Sequence, residues 1–230
     1  SYAGFVALAS LVWLAVGAHP EGRAFERRLA AEPRTRQLEI FLRLLELPVV
    51  RLVLVMSVGM FFFNHGLNNW LPEILRAGGM GAAQAGYWAA VPTAAGVLAS
   101  LTIPRLAVPA RRIWILLGLF LAAALAAQLL LSDHLSVLGT GLVLQGLARG
   151  SMMTIAVLLL LEMPEVGPRY AGSAGGLFFS AAEIGGVMGP LTVGYLSDLT
   201  GGFTAALYLM TGVMLALVVL LAASVVTAAQ

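Results

Sequence analysis

The sequence contains no cysteine and no lysine, and only three histidines. Without cysteine there are no disulfides, no thiolate metal ligands and no thiol redox chemistry. Charge is equally scarce. Asp, Glu, Lys and Arg make up 10% of the 230 residues, whereas a soluble domain carries roughly a quarter. Polar positions of that number cannot clothe a water-soluble fold of this length, since 60% of the chain is hydrophobic. No Gly-x-Ser-x-Gly frame surrounds Ser173, which reads Gly172-Ser173-Ala174-Gly175, and no acid-oriented His–Ser pair is apparent. Enzymatic function is therefore not expected. No second histidine or carboxylate accompanies His65 at ligand spacing, so no metal and no cofactor are expected either.

What the chain does have is long apolar runs. Seven can be read, at about 2–18, 49–71, 82–103, 113–131, 136–161, 171–196 and 203–226. About twenty apolar residues span a bilayer as a helix, which defines an all-α, polytopic membrane bundle with the lipid bilayer as its first partner. The first run begins at the chain terminus and is barely long enough to span. It reads as the tail of a longer helix, so the chain looks like part of something larger.

The single extended polar stretch, 19–47, holds six arginines and five glutamates. After Pro33 it has helical spacing, with Leu38, Phe41, Leu42 and Leu45 on one face, and reads as an amphipathic linker on the membrane surface. With alternate crossings, this linker, the 104–112 loop (Arg105, Arg111, Arg112) and the 162–170 loop (Arg169) share one side. The opposite loops contain only Arg76. Arginine-rich loops stay cytoplasmic, so the linker and the C-terminus are expected on that side of a bacterial cytoplasmic (inner) membrane. This sidedness absorbs the basic excess, and no nucleic-acid partner is expected.

Two charges fall inside the apolar runs. Arg149 lies near the middle of 136–161 and Glu183 at the middle of 171–196. A guanidinium at that depth costs at least ~2.5–3.5 kcal/mol on insertion scales, so it needs a partner, a cavity or a ligand. Glu183 is expected to neutralise it or to carry a coupling proton. Asn64, His65, Asn68 and Asn69 share one face of the second run, and Gln145 lies one turn before Arg149. These six residues, with Arg149 at their centre, form the expected binding set for a small anion, because planar guanidinium donors suit carboxylate-like or cyanate-like groups. Pro92 is expected to interrupt its helix, and Gly185 and Gly189 allow close helix packing before Pro190. Leu71-Pro72-Glu73 and Met163-Pro164-Glu165 hint at two three-helix units of inverted topology.

The stretch from Ala182-Glu183 through Gly189-Pro190 and Gly194 to Asp198-Leu-Thr-Gly-Gly-Phe203 resembles the eleventh helix and following turn of major facilitator superfamily transporters. Gly66-Leu-Asn-Asn-Trp-Leu-Pro72-Glu is similar to that superfamily's seventh helix, and closest to its cyanate-permease-like branch. Pro104-Arg105-Leu-Ala-Val-Pro-Ala-Arg111-Arg112 resembles the degenerate second copy of the family's cytoplasmic basic motif, without its glycine and aspartate. The resemblance implies a remnant of helix six (1–18), the central loop (19–47) and helices seven to twelve (48–230), with an N-terminal half as the missing partner. It further implies secondary transport by alternating access, with helices seven, eight, ten and eleven around the cavity. The same residues leave open a proton-coupled drug or metabolite exporter of that superfamily. From another class, a non-transporting membrane scaffold or receptor also remains.

Overall fold

The computed structural model describes residues 2–17, 20 and 37–228. They divide into two compact units, residues 1–39 and 40–230. In the first, α1 (Tyr2–Gly17) is an apolar helix of 16 residues. It rises about 24 Å, less than a hydrocarbon core. Most of the 19–47 linker lies outside the described residues. Its end forms α2 (Gln37–Glu46), which leads into the second unit.

That second unit is built from α3 (Pro48–Ala77), α4 (Ala82–Leu106), a short 3-10 turn (Pro109–Arg111), α5 (Arg112–Leu129), α6 (Leu135–Leu161), α7 (Gly167–Thr200) and α8 (Thr204–Ala228). No strand occurs among the described residues. Six helical segments, covering α3 to α8, are long and apolar enough to cross a membrane. The protein is thus an all-α, multi-pass membrane bundle.

Several helices outrun the apolar runs. Pro72 does not end α3, which continues to Ala77 and turns at Gly79, where φ is +92°. Pro92 likewise leaves α4 unbroken. A helix in lipid has no water to take over its backbone bonds, so it runs through a proline where a soluble helix would stop. The α7 helix gains about four residues at each end and closes on Gly201, whose left-handed φ of +72° lets its N–H return to the Ser197 carbonyl at 2.9 Å.

Glycine sets the packing. The largest interfaces are α3 with α7 and α4 with α6. On α7, Gly185 and Gly189 lie against the backbone of Val58 and Phe62, so closely that a Cβ at Gly189 would stand 3.0 Å from the Gly66 nitrogen. On α6, Gly146 and Gly150 lie against Pro92 and Gly96; a Cβ at Gly150 would stand 2.8 Å from the Gly96 Cα. Lipid tails are as apolar as the helices they surround, so close backbone approach and dispersion supply the attraction that water supplies elsewhere. The α5 and α8 helices also pack together, joined by Gln128 Nε2 donating to Thr211 Oγ1 at 2.6 Å. Each also buries one face, α5 with Leu116, Phe120 and Ala127 and α8 with Leu207, Met210 and Met214.

At the end of the bundle where the 104–112 and 162–170 loops meet, Arg112 donates to the Ala107 carbonyl at 2.8 Å and makes a two-pronged ion pair with Glu162. The hydrogen bond from Arg112, reinforced by its charge, holds the Glu162 carboxyl below the usual range. Nearby, α2 packs Ile40 and Leu44 inward, followed by Leu47 just beyond its end, with Arg43 5.8 Å from the Tyr170 ring centroid. The expected apolar face is offset from this: Leu38, Leu42 and Leu45 are exposed.

The glycine crossings generate a direct test. Gly150→Leu and Gly189→Leu should each abolish the monodisperse peak on size-exclusion chromatography in detergent. Gly212→Leu should not, because a Cβ at Gly212 meets nothing within 4 Å. Equal tolerance of all three would contradict the packing account.

Candidate functional site

A cavity of about 530 Å³ opens between α3, α4 and α6. The α3 helix contributes Phe61, Asn64, His65, Asn68 and Asn69, spaced so that one helical face carries all five. From α4 come Pro92, Thr93, Gly96, Val97 and Ser100 at the same spacing, and from α6 come Arg149, Gly150 and Met153. The close α4–α6 crossing is what leaves room on this side: Gly96 and Gly150 bring the backbones together and put no side chains into the space.

Arg149 lies about midway along α6. Its Nη1 donates to Asn68 Oδ1 at 2.8 Å. One of its five N–H groups is thereby committed and the guanidinium is oriented, while the remaining donors face a cavity lined by amides and hydroxyls. The His65 ring stacks on Phe61, with centroids 5.3 Å apart and planes at 17°. Asn64 Oδ1 is buried and has no hydrogen-bond partner among the described residues. A pre-oriented cation, an unused acceptor and an apolar wall (Phe61, Val97, Met153) can hold a small anion that also carries a hydrogen-bond donor.

Of the expected binding set, Arg149, Asn64, His65, Asn68 and Asn69 come together here; Gln145 does not. It is fully buried, and neither of its amide atoms finds a partner among the described residues. Glu183 is not paired with Arg149, because α7 packs on the α3 face that carries Val58 and Phe62 and not on α6's arginine face. Its carboxylate is exposed, and Oε2 lies 3.0 Å from where a Cβ on Gly186 would stand. Pro92 lines the cavity, while Gly185, Gly189 and Pro190 serve the α3–α7 contact, where the Pro190 carbonyl accepts from Trp70 Nε1 at 2.9 Å. Of the loop arginines, Arg112 is paired with Glu162, and Arg105 and Arg111 are exposed. Sequence reasoning passed over Phe61, Val97 and Ser100, although the recurrence 93, 96, 97, 100 carries the same helical signal as the asparagine face. Met152 is buried in the core, whereas its neighbour Met153 lines the cavity. Among the described residues no group of three His, Asp or Glu side chains could hold a metal.

No known protein-family model matches the chain, and no curated protein matches it. What fold and site define is therefore a class: an integral, multi-pass helical membrane protein with a polar, cation-bearing cavity.

Gln145 offers a test of the cavity's limits. A buried amide without a partner forfeits about 1–3 kcal/mol of desolvation. Gln145→Leu should accordingly melt at the same temperature or a few degrees higher in detergent. A clear fall in Tm would show that the amide has a bound partner after all.

Proposed function

We propose that this chain is the C-terminal half of a major facilitator-type secondary transporter that moves a small anion by alternating access. The observation that carries the reading is Arg149: a guanidinium halfway along a membrane-length helix, held by Asn68 and open to a polar cavity. A charge at that depth is retained where a substrate path needs it. In this reading Arg149 takes the anionic group and Asn64, His65 and Asn69 take the rest of the solute.

Two further observations support it. Pairing α3-α4-α5 with α6-α7-α8 in order sends the α3–α7 interface onto the α6–α4 interface, and these are the two largest. Three-helix units related in that way, an odd number of crossings apart, are the inverted repeats of such transporters. The exposed faces of α4 and α7 also carry polar groups, Thr93 and Ser100 on one and Ser180 and Glu183 on the other. Lipid would penalise those faces, whereas an N-terminal bundle rocking against them would share the cavity.

The test is uptake of labelled small carboxylates and cyanate into proteoliposomes. Uptake is expected when the chain is co-reconstituted with an N-terminal half. Arg149→Lys should melt like the native protein yet bind the anion at least about tenfold more weakly, because lysine lacks the two-pronged donor geometry. Native-like uptake by Arg149→Lys would overturn the role given to Arg149.

A further inference from the structure

We infer that the Arg149 cavity selects monocarboxylates with a compact aromatic body, and that Val97 and Met153 set this selectivity. The inference rests on the reading of Arg149 as an anion anchor and names the class of solute that the anchor takes.

The cavity is sorted by depth. The α4 and α6 helices run in the same direction, since Pro92 meets Gly146 and, one turn on, Gly96 meets Gly150. The α3 helix runs the opposite way, because the short connection 78–81 joins its end to the start of α4. Asn68 marks the polar end of the cavity, where it accepts from Arg149. Asn69 follows Asn68 on α3, and Thr93 stands on the first turn that α4 gives to the lining. Phe61 lies two turns back along α3, about 11 Å away along the axis. Val97 and Met153 lie one turn beyond Thr93 and Arg149, in that same direction. Ser100 adds no free donor there, because its hydroxyl donates to the Val97 carbonyl at 2.8 Å. One end of the cavity is thus cationic and amide-lined, and the other is an apolar slot.

Shape and charge narrow the solute further. The α3 side of the slot is flat, since the Phe61 ring stacks with that of His65. A planar ring entering beside stacked aromatics gains more than its buried area alone, and the Met153 thioether is a favourable neighbour for it. The cavity of about 530 Å³ falls within the range of organic-ligand sites, and a triatomic anion such as cyanate would fill little of it. Arg149 is the only Arg, Asp or Glu among the described lining residues, so one carboxylate is matched. A second carboxylate at the far end would lose its water against Phe61 and Met153 with no partner in return. The bound solute therefore points its carboxylate at Arg149 and its ring toward Phe61.

The test is binding of carbon-14 benzoate to this chain in lipid nanodiscs, counted above empty nanodiscs and competed with unlabelled anions. Acetate, cyanate and succinate should each compete at least about tenfold more weakly than benzoate, since none fills the slot with an apolar ring. Val97→Asn and Met153→Gln should melt like the native chain, yet each should lower the benzoate-to-acetate preference at least about threefold. Absence of displaceable benzoate, equal competition by acetate and benzoate, or a preference untouched in both variants would overturn the inference. Native-like benzoate binding by Arg149→Gln would overturn the anchor on which it rests. If the preference and its dependence on Val97, Met153 and Arg149 hold while the co-reconstituted halves transport nothing, the transport reading fails and the solute class stands.

Discussion

A guanidinium in the middle of a hydrocarbon slab is the constraint around which this bundle is arranged. Leaving Arg149 against lipid would cost several kcal/mol, comparable to the net stability of a whole domain. The fold meets the cost in two ways. Asn68 accepts one hydrogen bond, and the rest of the side chain opens into a polar cavity between α3, α4 and α6. Both depend on the glycines of α4 and α6. Without Gly96, Gly146 and Gly150 the two helices would stand further apart, and the cavity would lose the close α4–α6 wall that bounds it. The α3–α7 crossing repeats the device with Gly185 and Gly189, and there too a titratable side chain sits beside the glycine contact.

Much of this was legible in the sequence, and the reason is the membrane. Spanning segments must be long and apolar, so each of the six crossing helices announced itself, and a charge inside one stood out at once. The asparagine face of α3 followed from helical spacing alone. The cavity-lining face of α4 carried the same spacing but in Thr, Gly, Val and Ser, types too ordinary to draw notice. What could not be read were contacts between residues far apart in the chain. Arg112 and Glu162 are 50 positions apart, and nothing local marks them as partners. Glu183 and Arg149 shared a depth, which suggested a pair, but depth is only one coordinate. Which way each helix faces is set by the glycine crossings, and these leave Glu183 exposed on α7 and not paired with Arg149. Gln145 misled for the same reason: a turn away along α6 looks adjacent, yet the residue is packed into the interior and lines no cavity. Proline was a third case, because rules for helix ends learned from soluble proteins give way where no water competes for the backbone.

The central claim is that Arg149 binds an anion at membrane depth. The most direct measurement is the anomalous signal of bromine in crystals of the chain soaked in bromoacetate, a small carboxylate with a heavy-atom label. The account predicts a bromine peak inside the α3–α4–α6 cavity, with the carboxylate against the Arg149 guanidinium. A cavity without bromine, and peaks only beside Arg105 and Arg111 at the bundle's end, would contradict it.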